Sequence, residues 1–389
     1  MTKLETALDE ATAKAPSACQ LREDRRQGLY LDARRAMEIC NACRYCEGFC
    51  AVFPAMTLRR EFPDSDLDYL ANLCHNCRGC FYSCQYAPPH EFGVNVPKLF
   101  AELRTESYEK YAWPGPLARL FRRNGTILSL ATIAGISIVL VLTMLLADPD
   151  ALYGSSDAPG SFYAVIPWIV MTAVAGAATG FSLLALTIGG IKFWRATGGG
   201  TLLKGRPLAE ATHDVLTLRN LGGGGNGCND VNERFSMLRR RFHHALFYGF
   251  TLCFASTSVA TIYDHFLGLI APYAFFSVPV QLGFWGGVGL LVGATGLAWL
   301  KVVSDEAPAA RTVQGADFAL LGLLALTALT GLLLLGLRAT PAMGILLAVH
   351  LGVVLTLFVF APYSKMVHGL YRGLALLRNA IERRNANGS

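Results

Sequence analysis

Apolar and polar positions divide this chain unevenly. Up to about residue 118, hydrophobic residues are scattered among charges. From there on they gather into six stretches, 126–147, 162–191, 244–264, 279–300, 317–337 and 342–362. Each is near the roughly 20 residues that a membrane-crossing helix needs. The second is long and rich in Gly and Ala, with Gly176, Gly180 and Gly189. The fourth carries Gly283, Gly286, Gly287, Gly289 and Gly293. Small residues at these positions suit close helix–helix contact. The polar first 35 residues read as helical. The stretch 92–111 is amphipathic, with Phe100, Leu103 and Tyr108 expected in a core, and Trp113-Pro114-Gly115-Pro116 ends it.

Composition supports this division. The 389 residues are 53% hydrophobic and only 16% charged, too apolar for a soluble protein. The net charge of +6 matters less than its placement. Arg119, Arg122 and Arg123 precede the first span. The connection between spans two and three holds Lys192, Arg195, Lys204, Arg206, Arg219, Arg234 and Arg239 to Arg241. Lys301 and Arg311 follow span four, and Lys365, Arg372, Arg378, Arg383 and Arg384 follow span six. The opposite connections carry Asp148, Asp150, Asp157 and Asp264, with Arg338 the one basic residue among them. The positive-inside rule then places both termini in the cytoplasm, as expected of a multi-pass protein of the bacterial inner (cytoplasmic) membrane. Residues 1–16 lack an apolar core, so no secretory leader is expected.

Eight of the eleven cysteines form a duplicated pattern: Cys40, Cys43, Cys46 and Cys50, then Cys74, Cys77, Cys80 and Cys84, each spaced C-x2-C-x2-C-x3-C. That run holds bacterial-type [4Fe–4S] clusters, with the fourth cysteine serving the other cluster. The spacing assigns Cys40, Cys43, Cys46 and Cys84 to one cluster and Cys74, Cys77, Cys80 and Cys50 to the second. Zinc sites use spaced pairs instead, and disulfides need an oxidising compartment. Cys19, Cys228 and Cys253 read as ordinary thiols. The expected architecture is mainly α: a cytoplasmic ferredoxin-type unit with two [4Fe–4S] clusters at 1–118, then a six-helix transmembrane bundle at 119–389 with a basic cytoplasmic loop at 192–242.

That loop contains the run Leu221 to Gly227. A glycine run cradles phosphate only between a strand and a helix, and no strand is read here, so a flexible loop, or one closely packed against the cysteine unit, is expected. No dinucleotide or flavin domain is visible, and nothing points to nucleic acid.

Ionisable residues inside a span are functional candidates. His243 and His244 open span three, His265 closes it, His350 lies inside span six and His368 just beyond it. Histidine is a usual axial ligand of haem iron. His350 and His368 are 18 residues apart, five turns of one continuous helix and therefore one face, about 27 Å along its axis. His368 matches His243 or His244 in depth, and helical angle does not choose between those two. One b haem is therefore expected near the cytoplasmic face. A second, using His350 with His265 as partner, fits less well because His350 sits deeper. The bland alternatives are a basic membrane-edge cluster for His243 and His244, and a hydrogen-bonded core residue or proton relay for His350. His75 and His90 read as donors beside the clusters, and His213 has no partner in the pattern.

The double quartet, the Leu-Gly-Gly-Gly-Gly loop, Arg-Phe-His243-His244, Ala-Val-His350-Leu and Lys-Met-Val-His368-Gly-Leu-Tyr together resemble the tricarballylate-utilisation protein B family, also called citrate utilisation protein B. The same stretches are similar to the C-terminal half of the cobalamin-biosynthesis protein CobZ. The resemblance covers nearly all of the chain after about residue 30. It implies a membrane iron–sulfur and haem b subunit that reoxidises the FAD of a partner dehydrogenase acting on tricarballylate and passes the electrons to the quinone pool. It also implies the eight cysteines as cluster ligands and His243, His244, His350 and His368 as haem-ligand candidates. One departure is that Ala51 and Gln85, not proline, follow the fourth cysteines. Tyr248, Tyr363, Lys365 and Arg241 lie at a depth suited to a quinone. The rival reading, a redox-gated transporter or sensor, has six spans in its favour and the lack of internal repeats against it.

Overall fold

The computed structural model describes residues 18–155, 158–200 and 205–386. Residues 1–17, the Cys19 side chain, Asp157 and Lys204 lie outside the described residues. Among the described residues the protein is helical throughout, and its one β contact is an isolated bridge between Cys228 and Ser236.

Helix α1 (Ala18–Cys43) buries Tyr30, Ala33 and Met37, which share one stripe at helical spacing. It runs farther than the sequence predicts and carries Cys40 and Cys43 on its last turn, so the first quartet is not all loop. Arg44, at φ 56°, ends it in the left-handed region. Two helices follow, α2 (Val52–Thr57) and α3 (Asp64–Leu73). Asp64 and Asp66 sit in the first turn of α3, where the helix dipole favours negative charge. The second quartet begins at once on extended backbone, with Asn76 and Arg78 at positive φ before the short α4 (Gly79–Tyr82). Asn95 then caps α5 (Val96–Tyr111) by accepting from the Lys98 amide, and Pro97 occupies its first turn. Phe100, Leu103 and Tyr108 are buried in the same core as Cys74.

The turn α6 (Gly115–Ala118) and a 3-10 turn lead into α7 (Asn124–Leu146). The short α8 (Pro149–Tyr153) and α9 (Ser161–Val165) follow on the far side. The second span departs from expectation. It does not start at 162: Pro167 pushes Ile166 out of the helical region (ψ 114°), and the spanning helix α10 is Trp168–Ala196. The connection after it holds α11 (Gly205–Leu216). Spans three to five are α12 (Leu238–Phe266), α13 (Val278–Val302) and α14 (Arg311–Leu337). His243 and His244 thus sit within the helix, beyond its first turn, and do not open it.

Span six is α15 (Met343–Phe360), followed by two 3-10 turns and then α16 (His368–Ala386). The single helix assumed through His350 and His368 is therefore broken. Pro362 lacks the N–H needed to continue it, and Ser364 is extended (φ −117°, ψ 174°). His350 and His368 belong to different helices, and the shared-face argument fails.

Six helices among the described residues are long and apolar enough to cross a membrane, making this a multi-pass membrane protein. α12 packs on α13, α13 on α14, α14 on both α7 and α15, and α10 on α15. Backbones approach closely where glycines meet. A Cβ on Gly249 would lie 2.3 Å from the Leu290 amide nitrogen, and one on Gly293 would lie 2.3 Å from that of Leu246.

The C-terminal helix α16 turns back to the cysteine-bearing half. Tyr371, Ala375, Leu376 and Leu377 join a core with Met37, Phe53, Leu67, Tyr69 and Phe100. Glu382 accepts from Arg59 (2.6 Å), Arg378 (2.9 Å) and the Tyr69 hydroxyl (3.1 Å). One apolar core therefore brings together the first and last described helices.

Gly249→Leu should overpack the α12–α13 seam and cost about 3 kcal/mol or more, while Gly322→Ala, which meets open space, should be neutral. Thermal unfolding of the detergent-solubilised protein checks this; equal melting temperatures for the two variants would refute the seam.

Candidate functional site

The quartets have cross-paired in space. A cavity of about 310 Å³ is lined by Cys40, Cys43, Cys46 and Cys84, with Ile39, Phe53, Tyr86 and Val94 around them. Burial pushes the Cys40 and Cys46 thiols up to about 12, and in both the next contribution is the neighbouring charge of Cys84. Cys50 answers to the other group: burial raises it well above the ordinary thiol value, then Cys77 and Cys74. Cys80 is raised in the same way by burial, then by Cys77, Cys50 and Cys74. Each fourth cysteine thus lies among the first three of the opposite quartet. Among the described residues, no three His, Cys, Asp or Glu side chains converge on a point that would hold a single metal ion. Four thiols around a cavity suit a polynuclear cluster, whose irons would also stabilise the thiolates that burial disfavours.

The two groups differ in setting. Around the first, Ala42, Arg44, Tyr45, Glu47 and Gly48 are exposed. Around the second, Cys74, His75, Cys77, Arg78 and Gly79 are all buried. The glycine-rich segment covers that second loop, with Leu221 and Cys228 buried against Cys77. Gly223, at φ 49°, passes so close that an added Cβ would lie 3.8 Å from the Cys77 Cβ. The Asn229 amide donates to the Cys77 carbonyl at 2.9 Å.

Arginines hold the same loop from beneath. Arg372 of α16 donates to the Cys74 carbonyl at 3.0 Å, and Arg104 of α5 donates to the same oxygen. Arg239, at the start of α12, donates to the Asn76 carbonyl at 2.6 Å. Arg78 reaches out from the loop to the carbonyls of Asp230 (2.9 Å) and Asp305 (3.2 Å). In the sequence Arg239 and Arg372 signal only topology, because nothing local marks a cation that will bond a carbonyl as far away as Cys74 is from Arg372.

The histidines meet below this loop. The rings of His243 and His368 have centroids 6.2 Å apart. His368 Nδ1 is engaged by the Lys365 carbonyl, which leaves Nε2 free to ligate. His243 Nδ1 is buried with no partner, as is Arg372 Nε. Metal–imidazole bonds are about 2 Å long, so one iron between two facing rings separates their centres by about 6 Å. The His243 and His368 rings, inclined at 75°, have a centre-to-centre spacing compatible with one iron held between them. Burial holds His368 well below the usual imidazole range, so the ring is neutral, as a ligand must be. His244 turns away, with Nε2 3.0 Å from the Thr217 carbonyl. Of the two histidines that helical angle left equivalent, His243 is the one whose ring lies beside His368.

His350 and His265 are not brought together. His350 Nδ1 bonds the Thr330 hydroxyl at 2.9 Å, and its ring lies against Gly331. His265 pairs with Asp264 and packs on Trp168. A second haem finds no matched pair there. His75 spends Nδ1 on the Leu73 carbonyl (2.8 Å) and feels the charges of Arg372 and His243, which places it between the second cysteine group and the histidine pair. His90 is exposed, packed with Tyr86 and Phe92. His213 is exposed beside Asp214.

The family model described as Citrate utilization protein B matches residues 119–389, and that of its Fer4-like domain matches residues 33–110. A curated Citrate utilization protein B from Escherichia coli is 49% identical over 359 residues, covering 91% of this chain and 92% of the relative. The chain belongs to the citrate utilization protein B family. No solved structure matches it.

One buried group in this family member was missed from sequence. Asp317 of α14 is 4% exposed and pairs with both Lys301 of α13 and Lys365. An acid within an apolar helix was the available signal. Of the four residues suggested for a quinone, Tyr363 donates to the Trp113 carbonyl (2.8 Å) and Lys365 to Asp317, while Tyr248 donates to the Leu216 carbonyl and Arg241 is exposed. They do not form one site.

Asp317→Asn should leave two ammonium groups short of their counter-charge and destabilise the bundle by about 3 kcal/mol. Asp317→Asn/Lys365→Met should recover part of that loss in a denaturation series. A double variant no more stable than the single one would refute the ion-pair account.

Proposed function

We propose that the protein is the membrane electron-transfer subunit of an oxidoreductase. In this reading it takes electrons from a cytoplasmic FAD-dependent dehydrogenase, tricarballylate dehydrogenase-like, through two [4Fe–4S] clusters and one b haem to the quinone pool of the bacterial inner membrane. Both termini are cytoplasmic in this reading, consistent with the charge asymmetry of the connections. The observation that carries it is the order in space: an exposed four-cysteine cavity, a buried four-cysteine loop, and a facing histidine pair at the end of the membrane bundle.

The residues have distinct tasks. Cys40, Cys43, Cys46 and Cys84 hold one cluster near the surface, where a partner flavoprotein can approach. Cys74, Cys77, Cys80 and Cys50 hold the second next to the bundle. His243 and His368 hold the haem. The groups they bind supply one-electron redox chemistry, which splits the two electrons of a flavin. Arg104, Arg239 and Arg372 set positive charge against the second loop, which favours added negative charge there over the first site. The residues thereby bias electrons inward. The Lys365 carbonyl fixes the tautomer and orientation of His368.

Anaerobically purified protein should show a broad visible band bleached by dithionite and a sharpened b-haem α band; absence of both would sink the reading. His368→Ala should lose haem and keep the iron–sulfur signal, and full haem occupancy would overturn that ligand. Paramagnetic resonance of the reduced protein tests the pairing: Cys84→Ala should remove the same cluster signal as Cys40→Ala, and Cys50→Ala the same one as Cys80→Ala. Arg372→Gln should lower the midpoint potential of the second cluster and leave that of the first in place; equal shifts in both would refute the inward bias.

A further inference from the structure

A cleft of about 1320 Å³ lies where α1, α5 and the first turns of α7 and α14 meet, at the end of the bundle that carries the cysteine half. It belongs to none of the redox ligands. Its polar wall holds Arg22, Arg25, Arg26, Arg122 and Arg123 against three glutamates, an excess of two positive charges. Glu109 is taken by Arg22 and Arg122, and Glu102 accepts from the Thr312 hydroxyl. Among the described residues, Arg25 and Arg123 have no ion-pair or hydrogen-bond partner, and both are exposed. The opposite wall lies on two spanning helices and is mostly apolar, with Gly125, Val313, Ala316 and Phe318 along it and the hydroxyls of Thr126, Ser129 and Thr312 among them. Between the two walls sits Asn124. It is 6% exposed, donates from Nδ2 to the Tyr363 carbonyl, and leaves its buried Oδ1 without a partner.

We propose that this cleft binds an anionic phospholipid with a hydroxylated headgroup, phosphatidylglycerol in chemistry, drawn from the surrounding bilayer. The phosphate sits between Arg25 and Arg123. A headgroup hydroxyl donates to Asn124 Oδ1, and an acyl chain runs along Val313 and Phe318. Basic pockets between membrane helices at the polar boundary suit such headgroups, and free phosphate would leave the apolar wall unused. The site stands apart from the electron-transfer reading and survives its failure.

The test is mass spectrometry of lipids retained by the full-length protein after exchange in mixed micelles of phosphatidylglycerol and phosphatidylethanolamine. Wild type should retain phosphatidylglycerol selectively, and millimolar inorganic phosphate should not displace it. Arg25→Gln and Arg123→Gln should each weaken retention about fivefold, and Arg123→Glu should abolish it. Neither arginine has a structural partner to lose, so melting temperatures in detergent should stay unchanged. Equal retention of both lipids, displacement by phosphate, or undiminished phosphatidylglycerol in Arg25→Gln/Arg123→Gln would each overturn the proposal. So would loss of a bound quinone from that double variant with the lipid unchanged.

Discussion

Two arginines from distant parts of the chain meet at the Cys74 carbonyl. Arg104, from the helix that follows the cysteines, and Arg372, from the helix that ends the chain, donate to the same oxygen. Arg239, at the head of a spanning helix, takes the carbonyl two residues on. Hydrogen bonds from a charged donor are stronger than neutral ones, and here three of them converge on one buried loop. They join segments from near both ends of the chain and its middle. They also set the second cysteine group directly over the His243–His368 pair.

The same contacts explain an electrostatic tension. Burial pushes Arg372 down to about 10, first by desolvation and then by Arg104 beside it. Cys77 is raised by burial and by Cys74. Buried cations without a carboxylate, and buried thiols that resist ionisation, are each costly alone. Together they form a site where thiolates, once held by a metal cluster, and guanidinium groups would offset one another. The first cysteine group is near the surface, and the arginine that bonds its loop, Arg44 to the Asn41 carbonyl, is exposed. Its cavity is walled by Ile39, Phe53 and Val94.

Packing adds a second constraint. α16 shares a core with α1, α3 and α5, and its Glu382 gathers Arg59, Arg378 and Tyr69. His368 is the first residue of that helix. The histidine is therefore positioned by the cysteine-bearing half as much as by the membrane bundle. The break at Pro362 is what frees α16 to turn.

Local spacing along the chain was enough for some of its parts. Cysteine intervals specified two groups and their crossing, because thiols two residues apart must face one centre. Apolar runs specified six spans, because a bilayer demands length and hydrophobicity and little else. The intramembrane histidines stood out because ionisable groups there are costly. Only the tertiary structure decided among residues that local geometry left equivalent. It set His243 beside His368 and His244 against the Thr217 carbonyl. It parted His350 from His368, where helical arithmetic assumed a continuous helix. It also turned Arg104, Arg239, Arg372 and Asp317 from a count of charges into partners. Those contacts join residues far apart in the chain, and a charge in a sequence carries no record of what it will meet when the chain folds.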